Sequence, residues 1–181
     1  VPMTLPSGPS EFVTKCLRDL RPSLGSNPLA LDVAMGIGRN SVELVRHGFR
    51  VFGVDRNHDR LRVARDRILD CGGQPEIWVA DLEVSPLPKC HFDLVICSCY
   101  LQRTLWQGLR HAVVPGGFVL YETFTIFQRR YDWGPRAEEH LLASGELRQA
   151  FSSWDIWAYE ERIIPAAQAG LLARKPDSSL I

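Results

Sequence analysis

The chain carries no excess charge of either sign: Lys plus Arg and Asp plus Glu each number 21 in 181 residues, so the formal net charge is zero. Without a global field nothing draws in nucleic acid or an acidic membrane surface, and neither is an expected partner. Long apolar runs are also missing. None reaches the roughly 18 residues that span a bilayer, and Val1-Pro-Met-Thr-Leu-Pro holds neither a basic region nor an apolar signal core. The expectation is a soluble, cytoplasmic protein. A disulfide framework is absent too. Cys16, Cys71, Cys90, Cys97 and Cys99 are odd in number and irregularly spaced, which reads as reduced thiols. Cys97 and Cys99 would share one face of an extended strand, but no His or further Cys completes a zinc spacing, so no metal is expected.

What is present is a βαβ signature. Leu29-Ala-Leu-Asp-Val-Ala-Met-Gly-Ile-Gly-Arg-Asn-Ser41, followed by Arg50-Val-Phe-Gly-Val-Asp-Arg56, reads as a buried strand, a small-residue turn, a helix and a second strand ending in a carboxylate. Gly36 and Gly38 let the backbone approach a ligand, and the amides opening the helix near Asn40 offer donors. Asp55, at the carboxyl end of the second strand, sits where an acid accepts bonds from both hydroxyls of a ribose.

The rest of the chain continues the alternation. Three prolines mark residues 2–10 as an irregular arm. Ser10 caps an expected helix over residues 11–20, with Phe12, Val13, Cys16, Leu17 and Leu20 on one face. A helix is expected over residues 59–69, its arginines alternating with Asp59, Asp66 and Asp70 on a solvated face. Residues 76–80 form a third strand leading to Asp81, and Phe92-Asp-Leu-Val-Ile-Cys97 is a central strand buried on both faces. A helix over residues 104–113, a break at Pro115-Gly-Gly117 and a strand over residues 118–123 follow. Residues 124–143 have no periodicity and read as a long loop, functional or disordered. Ser144 caps a short helix over residues 145–151, and two segments, residues 154–163 and 168–174, pair as an antiparallel hairpin. The fold class is therefore α/β, a doubly wound, Rossmann-like, mostly parallel sheet of about seven strands.

Nicotinamide and S-adenosylmethionine domains both use a glycine turn and an acid on the second strand. Ala34-x-Gly36-x-Gly38 with Ser41 lacks the third glycine of the dinucleotide fingerprint. Asp81-Leu82 ends the third strand, where a carboxylate can accept from an adenine amino group and a leucine can cover the ring. The length leaves no second domain for substrate, so any pocket belongs to this one.

These features make the chain resemble the class I S-adenosylmethionine-dependent methyltransferases over residues 29–174. Leu31-Asp-Val-Ala-Met-Gly-Ile-Gly-Arg-Asn-Ser41, Tyr100-Leu-Gln-Arg103, Tyr121-Glu-Thr-Phe124, Gly134-Pro135 and Gly145-Glu-Leu147 resemble the tellurite-resistance-type group within them. Ala34 stands where many members have the first glycine, Met35 where Cys is common and Gln102 where His is frequent. An amide does not titrate near neutrality, so an acid/base role does not carry over to Gln102.

The resemblance implies one methyltransferase domain over residues 1–181: arm and first helix over 1–28, core over 29–174, tail over 175–181. It implies S-adenosyl-L-methionine as cofactor, with Asp32 and the Ala34 to Gly38 backbone about the methionine part. Asp55 would bind the ribose, Arg56 the adenine edge, and Asp81 and Leu82 the adenine. Cys97 would lie by the amino acid part. Tyr100, Arg103, Glu122 and Arg136 are the substrate-side candidates, and no catalytic residue is assigned. The reaction implied is in-line methyl transfer to a small molecule, the sulfonium supplying the leaving group. The alternatives are a nicotinamide-dependent oxidoreductase and a non-catalytic nucleoside-binding module acting through a protein partner.

Overall fold

The computed structural model describes residues 8–177, so residues 1–7 of the expected arm and 178–181 of the expected tail lie outside the described residues. Helix α1 (Glu11–Leu20) starts where expected, because the Ser10 hydroxyl accepts from the Val13 N–H at 3.2 Å, and it buries Phe12, Val13, Cys16, Leu17 and Leu20. The βα alternation then runs β1 (Leu29–Val33), α2 (Arg39–Arg46), β2 (Arg50–Asp55), α3 (His58–Asp70), β3 (Glu76–Val79), β4 (Phe92–Ser98), α4 (Trp106–Ala112) and β5 (Val113–Phe124). After a long excursion come α5 (Glu146–Ala150), β6 (Asp155–Arg162) and β7 (Gln168–Arg174).

The seven strands are ordered β3-β2-β1-β4-β5-β7-β6. Pairings from β3 to β5 are parallel, whereas β7 runs antiparallel between β5 and β6. The expected C-terminal hairpin is present, and its second strand, not its first, joins the parallel part. The chain winds outward from β1 to β3 and returns to β4, so the order reverses between β1 and β4. Ligands of open α/β sheets bind beyond the carboxyl ends of the strands at such a switch point.

Both faces of the sheet are covered. Apolar side chains of α1, α2 and α3 pack on Ala30, Leu94, Ile96, Phe118, Leu120 and Leu172. Leu109 and Ala112 of α4 and Leu147 of α5 pack with Phe151 on Leu31, Val95, Val119, Tyr121 and Leu171. Period-two alternation along β4 and β5 thus sends consecutive residues into different layers.

Four local expectations are corrected. The helix expected over residues 104–113 is a 3-10 turn, Arg103–Leu105, leading into α4. Pro115-Gly-Gly117 does not precede β5 but lies inside it. Val113 pairs with Phe92 and Phe118 with Leu94, so the intervening residues bulge, with Gly116 at φ +76. Ser144 does not cap α5. Its hydroxyl donates to Glu161 at 2.7 Å, while Gly145 takes the cap position and Glu146 accepts from the Ala143 N–H at 2.8 Å. Cys97 and Cys99 do not share a strand face, because β4 ends at Ser98 and Cys99 turns to φ +57.

Residues 124–143 are pinned, not loose. Gln128 is fully buried; its amide donates to the Trp133 carbonyl and its Oε1 accepts from the Ala167 N–H, both at 2.9 Å.

One glycine fixes how α1 docks. A Cβ on Gly170 of β7 would lie 2.6 Å from the Phe12 ring. Gly170→Ala is expected to cost about 1–3 kcal/mol through forced displacement of Phe12. Urea unfolding of both proteins measures this, and an unchanged midpoint would refute the packing account.

Candidate active site

The turn after β1 is held from beneath. Asp32 is 1 % exposed, and its Oδ2 accepts from the Ser41 hydroxyl at 2.6 Å. Through Ser41, Asp32 ties the first turn of α2 to the strand below. Its Oδ1 has no hydrogen-bond partner among the described residues. Burial pushes the carboxyl up to about 7, against the opposing pull of Ser41 and Arg39.

The two glycines do different work. A Cβ on Gly38 would come within 2.9 Å of Ala64, so this residue, at φ +72, lets α3 pack against the turn. Gly36, at φ +55, has nothing within 4 Å of its would-be Cβ, and its N–H donates to Asp55 Oδ2 at 2.8 Å. Asp55 Oδ1 accepts from the Asn57 N–H, also at 2.8 Å. Each oxygen keeps a lone pair for a ligand.

Asp55 lines a crevice of about 560 Å³ together with Ala34, Arg56, Asp81, Leu82, Tyr100 and Arg103. Seven predicted residues therefore meet in one cavity at the switch point. Asp81 is exposed and accepts from the Glu83 N–H at 3.0 Å. Gln102 fastens the far wall: its Oε1 accepts from the Tyr100 hydroxyl at 2.6 Å, and its Nε2 donates to the Leu82 carbonyl at 3.1 Å and to Thr104 at 3.0 Å. Burial raises the Tyr100 phenol above its ordinary value. Arg103 makes two bonds to Glu146, at 2.5 and 2.9 Å, and donates to the carbonyls of Glu139 and Leu141.

Asp32, Gly36, Gly38 and Cys97 do not line this crevice. Cys97 is fully buried beneath it, and burial pushes its thiol up to about 12. Arg136 lines neither cavity. Its guanidinium bonds the Tyr131 carbonyl at 2.8 Å and so closes its own loop.

Glu122 faces a second chamber of about 610 Å³. It is 1 % exposed, and its Oε1 accepts from the Ser10 hydroxyl and from Arg162, each at 2.7 Å. Arg162 also bonds Glu160 and Gln168, both at 2.6 Å. Arg39 and Gln168, which line this chamber, donate to Cys99 Sγ at 3.0 and 3.7 Å, while Cys99 itself lines the first crevice. The Cys99 N–H donates to the Glu122 carbonyl at 2.8 Å. The two cavities therefore share the Arg39–Cys99–Gln168 cluster as a wall.

Arg39 and Gln168 escape the sequence reading, which weighs Cys99 only as a strand partner of Cys97. Arg39 alone left a signal, a cation in the first turn of a helix, where the dipole disfavours it.

A methyltransferase domain family matches residues 30–117, which carry the turn, Asp55, Asp81 and β4. Over those residues the chain is similar to S-adenosylmethionine-dependent methyltransferases, as its sequence motifs imply. A match to that domain family implies S-adenosylmethionine as co-substrate. Among curated relatives, a ubiquinone/menaquinone biosynthesis C-methyltransferase UbiE of Ralstonia nicotianae is 32% identical over 103 residues, covering 52% of this chain and 42% of the relative. A ubiquinone biosynthesis O-methyltransferase of Idiomarina loihiensis is 29% identical over 118 residues, 62% of this chain and 49% of the relative. The chain thus spans less than half the length of these relatives. TehB from Haemophilus influenzae superposes with a TM-score of 0.70 over 88% of this chain and 61% of its own, at 18% identity, which establishes a shared fold. No helix among the described residues is long and apolar enough to cross a membrane.

The buried Asp32 gives a pH signature. Its folded value, about 7, lies above the ordinary 3.8, so the native state holds the proton more tightly and Asp32 lowers stability as pH rises between those values. Asp32→Asn is expected to gain on wild type from pH 4 to 7 and to gain nothing further above, by a total on the order of a few kcal/mol. Unfolding midpoints across pH check this. A constant difference between the proteins would contradict it.

Proposed function

We propose that this chain transfers the methyl group of S-adenosylmethionine to a small-molecule acceptor by in-line displacement. The observation that carries the reading is Asp55, held by two backbone N–H groups with free lone pairs toward a crevice walled by Asp81 and Leu82. That is a fit for an adenosine group: a carboxylate pair for the hydroxyls and the exocyclic amine, and an apolar side chain for the ring.

In this reading Asp55 takes the ribose, Asp81 and Leu82 frame the adenine, and Arg56 covers its edge. Ala34 and Gly36 leave room for the methionine part, with Asp32 fixing the turn from below. Arg39, beside Ser98 and Cys99, offers the charge that a methionine carboxylate requires. Cys97 contributes packing only. Tyr100, locked by Gln102, holds the far wall. Arg103 and Arg136 serve the walls and loop that shape the site, since their guanidinium groups already bond Glu146 and loop carbonyls. Bound S-adenosylmethionine supplies a methyl carbon activated by the sulfonium. The chain's own residues align the partners and exclude water.

Calorimetric titration with S-adenosylhomocysteine tests the site. Asp55→Ala is expected to weaken binding about 10–100-fold, the worth of a charge-assisted pair of hydrogen bonds, while far-ultraviolet circular dichroism stays that of the folded protein. Undiminished affinity in the folded variant removes Asp55 from the site, and binding of NAD(P) in place of S-adenosylhomocysteine removes the reading.

A further inference from the structure

Two side chains that line the chamber beside the crevice each carry a buried, unpartnered polar atom, and the two are of opposite character. Glu122 Oε2 is a buried acceptor and Trp133 Nε1 a buried donor, and neither has a hydrogen-bond partner among the described residues, although both side chains line the chamber. A buried unpaired polar atom costs about 1–3 kcal/mol, and a ligand that pairs it recovers that cost.

The electrostatics select the ligand's charge. Arg162 is spent on Glu122 and Glu160, at 2.7 and 2.6 Å. Arg39 bonds Ser98 and Cys99 and, in the reading above, is taken by the carboxylate of the bound cofactor. Four carboxylates and three cations line the chamber, so an oxyanion finds no uncommitted buried cation and meets the free oxygen of Glu122. Beside Ser10 and Gln168, the uncharged walls are apolar, including Phe12, Trp133, Ala166 and the 79 % exposed Ile164.

We infer that this chamber seats the methyl acceptor, and that the acceptor is a hydroxyl- or amine-bearing molecule with an apolar body, not an oxyanion. The inference rests on the methyltransferase reading above and names the substrate class of that site. Glu122 Oε2 accepts the hydrogen bond of the reacting O–H or N–H, and the apolar walls hold the body. As the heteroatom bonds to the methyl carbon, the carbon–sulfur pair leaves on sulfur and the heteroatom's proton passes to Oε2. The Arg39–Cys99–Gln168 cluster borders both this chamber and the crevice.

Three probes with one body test the selection: 2-phenylethanol, 2-phenylethylamine and phenylacetate, titrated into the whole protein saturated with S-adenosylhomocysteine. The alcohol and the amine are expected to bind at least tenfold more tightly than the carboxylate. Glu122→Gln keeps the volume and is expected to erase that preference. Ile164→Ser, on an exposed residue, is expected to weaken all three about threefold and leave S-adenosylhomocysteine affinity unchanged; it carries the test should the Glu122 variant not fold. Phenylacetate binding as tightly as the amine, no binding by any probe, a preference that survives Glu122→Gln, or no effect of Ile164→Ser would each overturn the inference. Failure of S-adenosylhomocysteine to bind the wild type is a separate result and overturns the cofactor reading instead.

Discussion

The carboxylate of Asp55 joins three elements that would otherwise be free to part. It is the last residue of β2, it takes the Gly36 N–H of the turn after β1, and it takes the N–H of Asn57, whose own side chain caps α3. Strand end, glycine turn and helix start are thereby set to one geometry by two bonds of 2.8 Å. Asp55 also lines the crevice, so the group that organises the turn borders the cavity as well. Asp32 does the complementary work from inside, with no solvent access and Ser41 as its partner. Two carboxylates of adjacent strands thus fix the turn, Asp32 through Ser41 and Asp55 through Gly36.

Packing on the other layer governs the second chamber. Ser98, Glu122 and Gly170 lie side by side across β4, β5 and β7. Because Gly170 has no side chain, the Phe12 ring lies directly on the sheet, and α1 comes down far enough for Ser10 to reach Glu122 at 2.7 Å. Ser10 then serves twice, accepting from Val13 to start the helix and donating to the buried carboxylate. A change in how α1 docks is therefore a change in what surrounds Glu122.

Features set by local chemistry were legible in the sequence. The Ser10 cap, the strand ending at Asp55 and the turn at Asp81-Leu82 depend on neighbours within a few residues, and all appear in place. What the sequence leaves unread depends on distant partners. Arg103 shows a charge in the sequence but not Glu146, which lies 43 residues away, and Ser144 looks like a cap until Glu161 arrives from β6. Residues 124–143 lack periodicity because their order comes from single long-range bonds, such as Gln128 to Ala167 across 39 residues. Cys99 breaks a pattern that alternation alone would have continued, because its backbone is tied to Glu122 of the adjacent strand.

The antiparallel hairpin explains why the second chamber stands where it does. A parallel strand added to β5 would bring only its own carboxyl end to the ligand edge, and its connection would cross the sheet. In the hairpin, β6 ends and β7 begins at that edge, so Arg162 and Gln168 arrive together beside Phe124 and Glu122. The turn between them supplies Ile164 and Ala166 as apolar wall. The reversal of direction that closes the sheet thus also delivers the cation that holds Glu122 and the amide that reaches Cys99, and the site's second wall follows from topology before any side chain is chosen.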